Sequence, residues 1–113
     1  MEFIPNQLHL PQKIYLVLLS SKTMGEIHGL FFNDPSPTDV ISFDYGEILI
    51  CPLVAEREAH SRSIPVLKEV LLYGIHGMLH LCGMDDRREE ERKQMEVQQE
   101  FILKSIWEKL GFA

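Results

Sequence analysis

From Pro65 the chain reads PVLKEVLLYGIHGMLHLCG, with Leu67, Val70, Leu71, Ile75, Met78 and Leu79 recurring every three or four residues. That spacing predicts an amphipathic-to-apolar helix, and so apolar a helix belongs at the centre of a fold. Proline is tolerated in its first turn. REEERKQMEVQQEFILKSIWEKLG follows, with Met95, Phe101, Ile102, Ile106 and Leu110 as an apolar stripe opposite charged positions and Gly111 closing the helix.

The first half has a shorter period. KIYLVLLS (13–20) is a short apolar run bounded by proline and polar residues and is expected as a buried strand. TMGEIHGLF (23–31) suggests a short helix capped by Thr23, and NDPSPTD (33–39) an irregular turn. VISFDYGEILIC (40–51) reads as two strands with a tight turn at Gly46, stopped by Pro52, and LVAEREAHSRS (53–63) as a helix ending before Ile64-Pro65. Strands followed by helices give an α+β domain, a small mixed sheet covered by helices with residues 65–83 as its central helix.

That central helix carries the chemistry. In HGMLHLCGMDD (76–86), His76 and His80 lie four apart, so both imidazoles project from one face and can reach a single ion. A histidine pair alone is more often a packed core feature. Gly74 and Gly77 weaken the helix by roughly 1 kcal/mol each relative to alanine, a cost tolerable where something must approach closely. Gly83 can end the helix in a left-handed conformation and fold the chain back, so that Asp85 or Asp86 becomes a third ligand. H-x-x-x-H-x-x-G-x-x-D has the spacing by which one class of zinc enzymes presents three ligands. Cys82, pointing away from His80, is expected in the core. His9, His28 and His60 lie outside any ligand spacing. Gly77 stands where H-E-x-x-H peptidases place their glutamate base, which disfavours a metallopeptidase.

Composition narrows the setting. The chain has 113 residues, 45% of them hydrophobic, enough for one domain without a disulfide framework. Two unpatterned cysteines, no basic-then-apolar leader and no membrane-length apolar run point to a cytoplasmic protein. A net charge of −6 counts against broad phosphate binding without excluding nucleic acid, since Arg57, Arg62, Arg87 and Arg88 place positive charge in the second half of the chain.

Two segments, SPTDVISF with GEILICP, and HGMLHLCGMDD with the acidic helix after it, resemble the YbeY family of bacterial rRNA-maturation endoribonucleases from about residue 14 onward. The resemblance implies an α+β fold with one metal, usually zinc, acting on single-stranded rRNA in small-subunit maturation and ribosome quality control. It makes His76 and His80 metal ligands and puts Asp86 where the family generally has a third histidine. A carboxylate there leaves the metal less electrophilic and its water harder to deprotonate. The resemblance makes Asp85 an orienting group or substitute ligand. Phe32 falls where the family usually has a cleft arginine, so it can pack or stack on a base but cannot grip phosphate. With RNA as substrate, the candidate contacts are Arg57 and Arg62 before the histidine helix, Arg87 and Arg88 after the ligands, Phe32 and Ser42; Thr38 and Asp39 lie with Ser42 along the strand expected at the cleft, where alternate side chains could meet substrate. The family normally has a further strand and helix ahead of residue 14, so the N-terminal part is expected to be shortened or divergent. The alternative from another class is a non-catalytic ribosome-associated factor with a structural ion.

Overall fold

The structure is a computed structural model that describes residues 2–4, 13–43 and 45–111. Strands β1 (Glu2–Ile4) and β2 (Tyr15–Leu18) precede helix α1 (Ser21–Phe32). The hairpin β3 (Val40–Phe43) and β4 (Glu47–Ile50) follows, then α2 (Pro52–Arg62), α3 (Val66–Leu81) and α4 (Glu89–Lys109). The sheet order is β1-β3-β4-β2, with β3 and β4 antiparallel and each edge strand parallel to its neighbour. The mixed α+β architecture read from the sequence is the observed one.

Side-chain alternation along β3 and β4 divides the core. Val40, Ile48 and Ile50 pack with Tyr73 and Leu81 of α3 on one face. Ile41, Phe43 and Leu49 pack with Met24 of α1 on the other. Both central strands are therefore covered on both sides, which is why their sequences read as nearly unbroken apolar runs. On its outer side α3 meets α4 through Leu72, Ile75 and Leu103.

Several local expectations change. Residues 15–18 form an edge strand, and Tyr15, Leu16 and Leu18 are at least half exposed. An apolar run identifies a strand without saying whether both its sides are paired. Helix α1 is capped by Ser20, whose Oγ accepts from the Thr23 amide. Cys82 is exposed rather than in the core, because the helix ends at Leu81 and leaves its thiol beyond the packed face. On α4 the buried stripe is Met95, Gln99 and Leu103, with Phe101 exposed. On α3, Leu67 and Met78 are exposed while Glu69, Tyr73, His76 and His80 are buried. At the N-terminus, β1 pairs Glu2 with Ile41 through Ile4 with Phe43, so a strand stands ahead of residue 14. Among the described residues, no helix is long and apolar enough to cross a membrane.

Candidate metal centre

The centre is positioned by a close approach at one end and a turn at the other. Helix α3 lies against the sheet at Gly77, where a β-carbon would sit 2.6 Å from Ser42 Oγ and 2.8 Å from Ile48 Cγ2. Hydrogen at this position is what allows the histidine helix to seat. Ser42 is consequently buried beneath α3, and Gly77 has a packing reason to stand where a peptidase would carry its base.

At the other end Gly83, at φ 96°, closes the helix. Its amide donates to His80 O and that of Met84 to Leu79 O, the paired bonds of a Schellman ending. A side chain at this left-handed position costs roughly 1–2 kcal/mol. The reversed chain brings Met84 O within 2.9 Å of His80 Nδ1 and carries Asp86 back over the histidine face. Glu89, Glu90 and Glu91 then start α4, their charges favoured at the positive end of its dipole.

His76, His80 and Asp86 come together. Their facing atoms, His76 Nε2, His80 Nε2 and Asp86 Oδ2, are separated by 2.9, 3.3 and 3.5 Å. Three donors bonded to one zinc ion at about 2.0–2.1 Å stand roughly 3.3 Å apart at the tetrahedral angle, so the triangle has the right size. The partners of the rings suit this arrangement. His80 Nδ1 faces Met84 O and His76 Nδ1 faces Gln99 Oε1, both acceptors, which favours the tautomer that turns each Nε2 lone pair to the shared centre. Both rings are buried and Asp86 is partly open, so the cluster has one solvent-facing side. Burial, foremost, holds the His76 pKa below the ordinary imidazole value and keeps the ring neutral, the form that binds metal.

Asp85 is committed elsewhere. Its Oδ1 accepts from the amides of Asp86 and Arg87, and its Oδ2 takes Arg87 Nε and Nη2, each at 2.7 Å. The Arg87 side chain, foremost, lowers its pKa to about 2. Asp85 thus shapes the loop that presents Asp86, while Asp86 supplies the oxygen facing the histidines.

The six positions proposed for RNA contact fall into different surroundings. Arg87 and Arg88 are exposed directly after the metal loop, and with Asp85 and Glu91 they line a pocket. Arg57 lies in a separate pocket between α2 and the start of α3. Arg62 reaches the buried Glu69 at 3.2 Å and Glu58 at 3.8 Å. Phe32 packs with the Met24 cluster and against the His28 ring, and Ser42 is in the core. Thr38 and Asp39 are half-buried, with Asp39 Oδ1 accepting from Val40 N and Thr38 Oγ1. His28 is buried with Nδ1 2.8 Å from Ser36 O, His60 is exposed, and His9 lies outside the described residues.

Gln99 is the site residue that sequence reasoning missed. A signal existed: it recurs four residues after Met95 and four before Leu103, a polar side chain in step with two apolar ones. Its burial points inward to His76.

Comparison with known proteins gives the family of the chain. The family profile described as Endoribonuclease YbeY matches residues 1–107, so the match also includes the N-terminal segment. The protein named endoribonuclease YbeY from Elusimicrobium minutum is 36% identical over 106 residues, spanning 83% of this chain and 74% of that protein. The one from Protochlamydia amoebophila is 31% identical over 119 residues, spanning 93% and 79%. The solution structure of TM1509 from Thermotoga maritima superimposes with a TM-score of 0.69 at 32% identity, covering 86% of this chain and 69% of that one. With its profile match, its relatives and its fold in agreement, the chain belongs to the YbeY family.

Proposed function

We propose that this protein is a zinc-dependent endoribonuclease of the cytoplasm. Its substrate would be single-stranded rRNA, cut during small-subunit maturation and ribosome quality control. The observation that carries the reading is the convergence of His76 Nε2, His80 Nε2 and Asp86 Oδ2 in a chain whose relatives are named endoribonucleases. Two imidazoles and a carboxylate suit zinc, and the ion, when bound, supplies Lewis acidity at a phosphoryl oxygen and a water of lowered pKa.

The chain's own residues account for the rest. Burial disfavours the charged form of His76 and so keeps its lone pair available. Asp86 contributes one negative charge and so moderates the charge that the phosphate would meet. Arg87 and Arg88, directly after Asp86 in the chain and exposed, offer guanidinium groups for the RNA backbone, which matters in a chain of net charge −6. Arg87 would trade part of its pairing with Asp85 for phosphate.

A second reading is favoured by one observation. Phe32 is partly buried against the Met24 cluster and the His28 ring, and its position supplies no cation to grip phosphate. On that reading the ion is structural and the protein acts as a non-catalytic ribosome-associated factor. The test is cleavage of an end-labelled single-stranded rRNA fragment by protein loaded with one equivalent of zinc, with His80→Ala as control. Zinc-dependent cutting that disappears in the variant supports the nuclease. Stable association of loaded protein with small subunits, and no cutting under single-turnover conditions, supports the factor.

A further inference from the structure

Gln99 is buried in α4 between the apolar Met95 and Leu103, a position where an amide without a partner costs stability. Its oxygen takes the Nδ1–H of His76, across 23 residues of sequence. The other histidine is held in the same way by a backbone carbonyl, Met84 O. Both Nδ1 atoms therefore face neutral acceptor oxygens, and the one carboxylate among these five groups is that of Asp86.

We infer that Gln99 is a positioning residue that fixes His76 with its proton on Nδ1 and does so without adding charge. The inference rests on the metal reading of the site and deepens it. A carboxylate at position 99 would hold the same tautomer, but with Asp86 it would cancel the charge of a bound dication and weaken its pull on phosphate. An apolar side chain would leave His76 free to rotate or to move its proton to Nε2, which would occupy the lone pair that the ion needs. An amide meets both requirements.

The test uses the full chain. Long-range 15N–1H correlation spectra of the metal-free protein should show His76 protonated on Nδ1; an Nε2–H tautomer would overturn the inference whatever the variants do. Zinc dissociation constants, from competition with a chromogenic chelator, are then compared for the unmodified chain, Gln99→Met and Gln99→Glu. Methionine keeps the approximate volume without the acceptor and should weaken zinc binding roughly 10–100-fold, while glutamate should bind at least as tightly as the unmodified chain. Equal affinity in Gln99→Met, or an equal loss in Gln99→Glu, would sink the role of Gln99 and leave the metal site standing. If the unmodified chain takes up no zinc, the metal reading falls and this inference with it. Should the methionine variant fail to fold, the tautomer of the unmodified chain and the glutamate variant still decide.

Discussion

Helix α3 buries polar groups at two places about two turns apart, and they are built on different principles. In its first half Glu69 is fully buried, with Oε1 3.2 Å from Arg62 of α2. Tyr73 lies beside it, its hydroxyl pKa raised by burial and then by the Glu69 carboxylate. In its second half His76 and His80, joined by Asp86 of the following loop, turn three electron-rich atoms toward one point. The first group carries its own cation from within the chain, and its consequence is to pin α2 against α3. The second gathers donor atoms from two helix positions and a loop, a set that could hold a metal ion from solution. A buried charge thus says little by itself about function; the origin of the countercharge separates a brace from a binding site.

Removing a ligand should break the second group and spare the first. His80→Ala or Asp86→Ala is expected to lower zinc affinity more than 100-fold, beyond the roughly 10–100-fold typical of losing a group behind a ligand. Metal content by elemental mass spectrometry should fall from one ion per chain to none, with the metal-free melting temperature little changed. Arg62→Ala should do the reverse. It strands the Glu69 carboxylate and should cost about 2–3 kcal/mol, less than a fully buried pair because Arg62 is half exposed. Urea unfolding of the metal-free protein would measure it, and zinc affinity should remain within about twofold.

Gly77→Ala tests the seat between the two groups. Its new methyl would press on Ser42 and Ile48, so a loss of about 1–3 kcal/mol is expected, together with weaker zinc binding as α3 shifts. An alanine variant as stable as the parent would show that the sheet yields at this contact. The smallest effect is on pH. Because the folded pKa of His76 lies below the ordinary 6.5, the unfolded chain binds the proton more readily than the folded one. The metal-free protein should therefore keep its full stability above about 6.5 and lose some as pH falls below it toward the folded value. Melting temperatures between pH 5 and 8 would show the slope, and His76→Gln should flatten it.

How legible each part was follows from the range of the forces involved. The four helices and the hairpin came from local patterning, and His76, His80 and the Gly83 turn from spacing within one helix and its cap. The edge status of β2 was hidden because KIYLVLLS has the same apolar content whether one or both of its sides are paired. Phe101 and Cys82 misled because apolarity was read as burial, while their actual exposure depends on where α4 and the end of α3 fall against their neighbours. Gln99 stands 23 residues from His76, and no local period connects them.

The sequence by itself determined the α+β class, the two histidines on one helical face and the turn that returns a carboxylate to them, since each depends on backbone geometry over fewer than a dozen residues. Only the tertiary structure decided that Asp86 rather than Asp85 faces the histidines, because the spacing left both within reach and the seating of the loop against α3 brings Asp86 Oδ2 to both rings. It also decided that Arg62 serves Glu69 and that Gln99 holds His76. These are contacts between elements, and a side chain's partner across a core is set by the packing that brings the elements together.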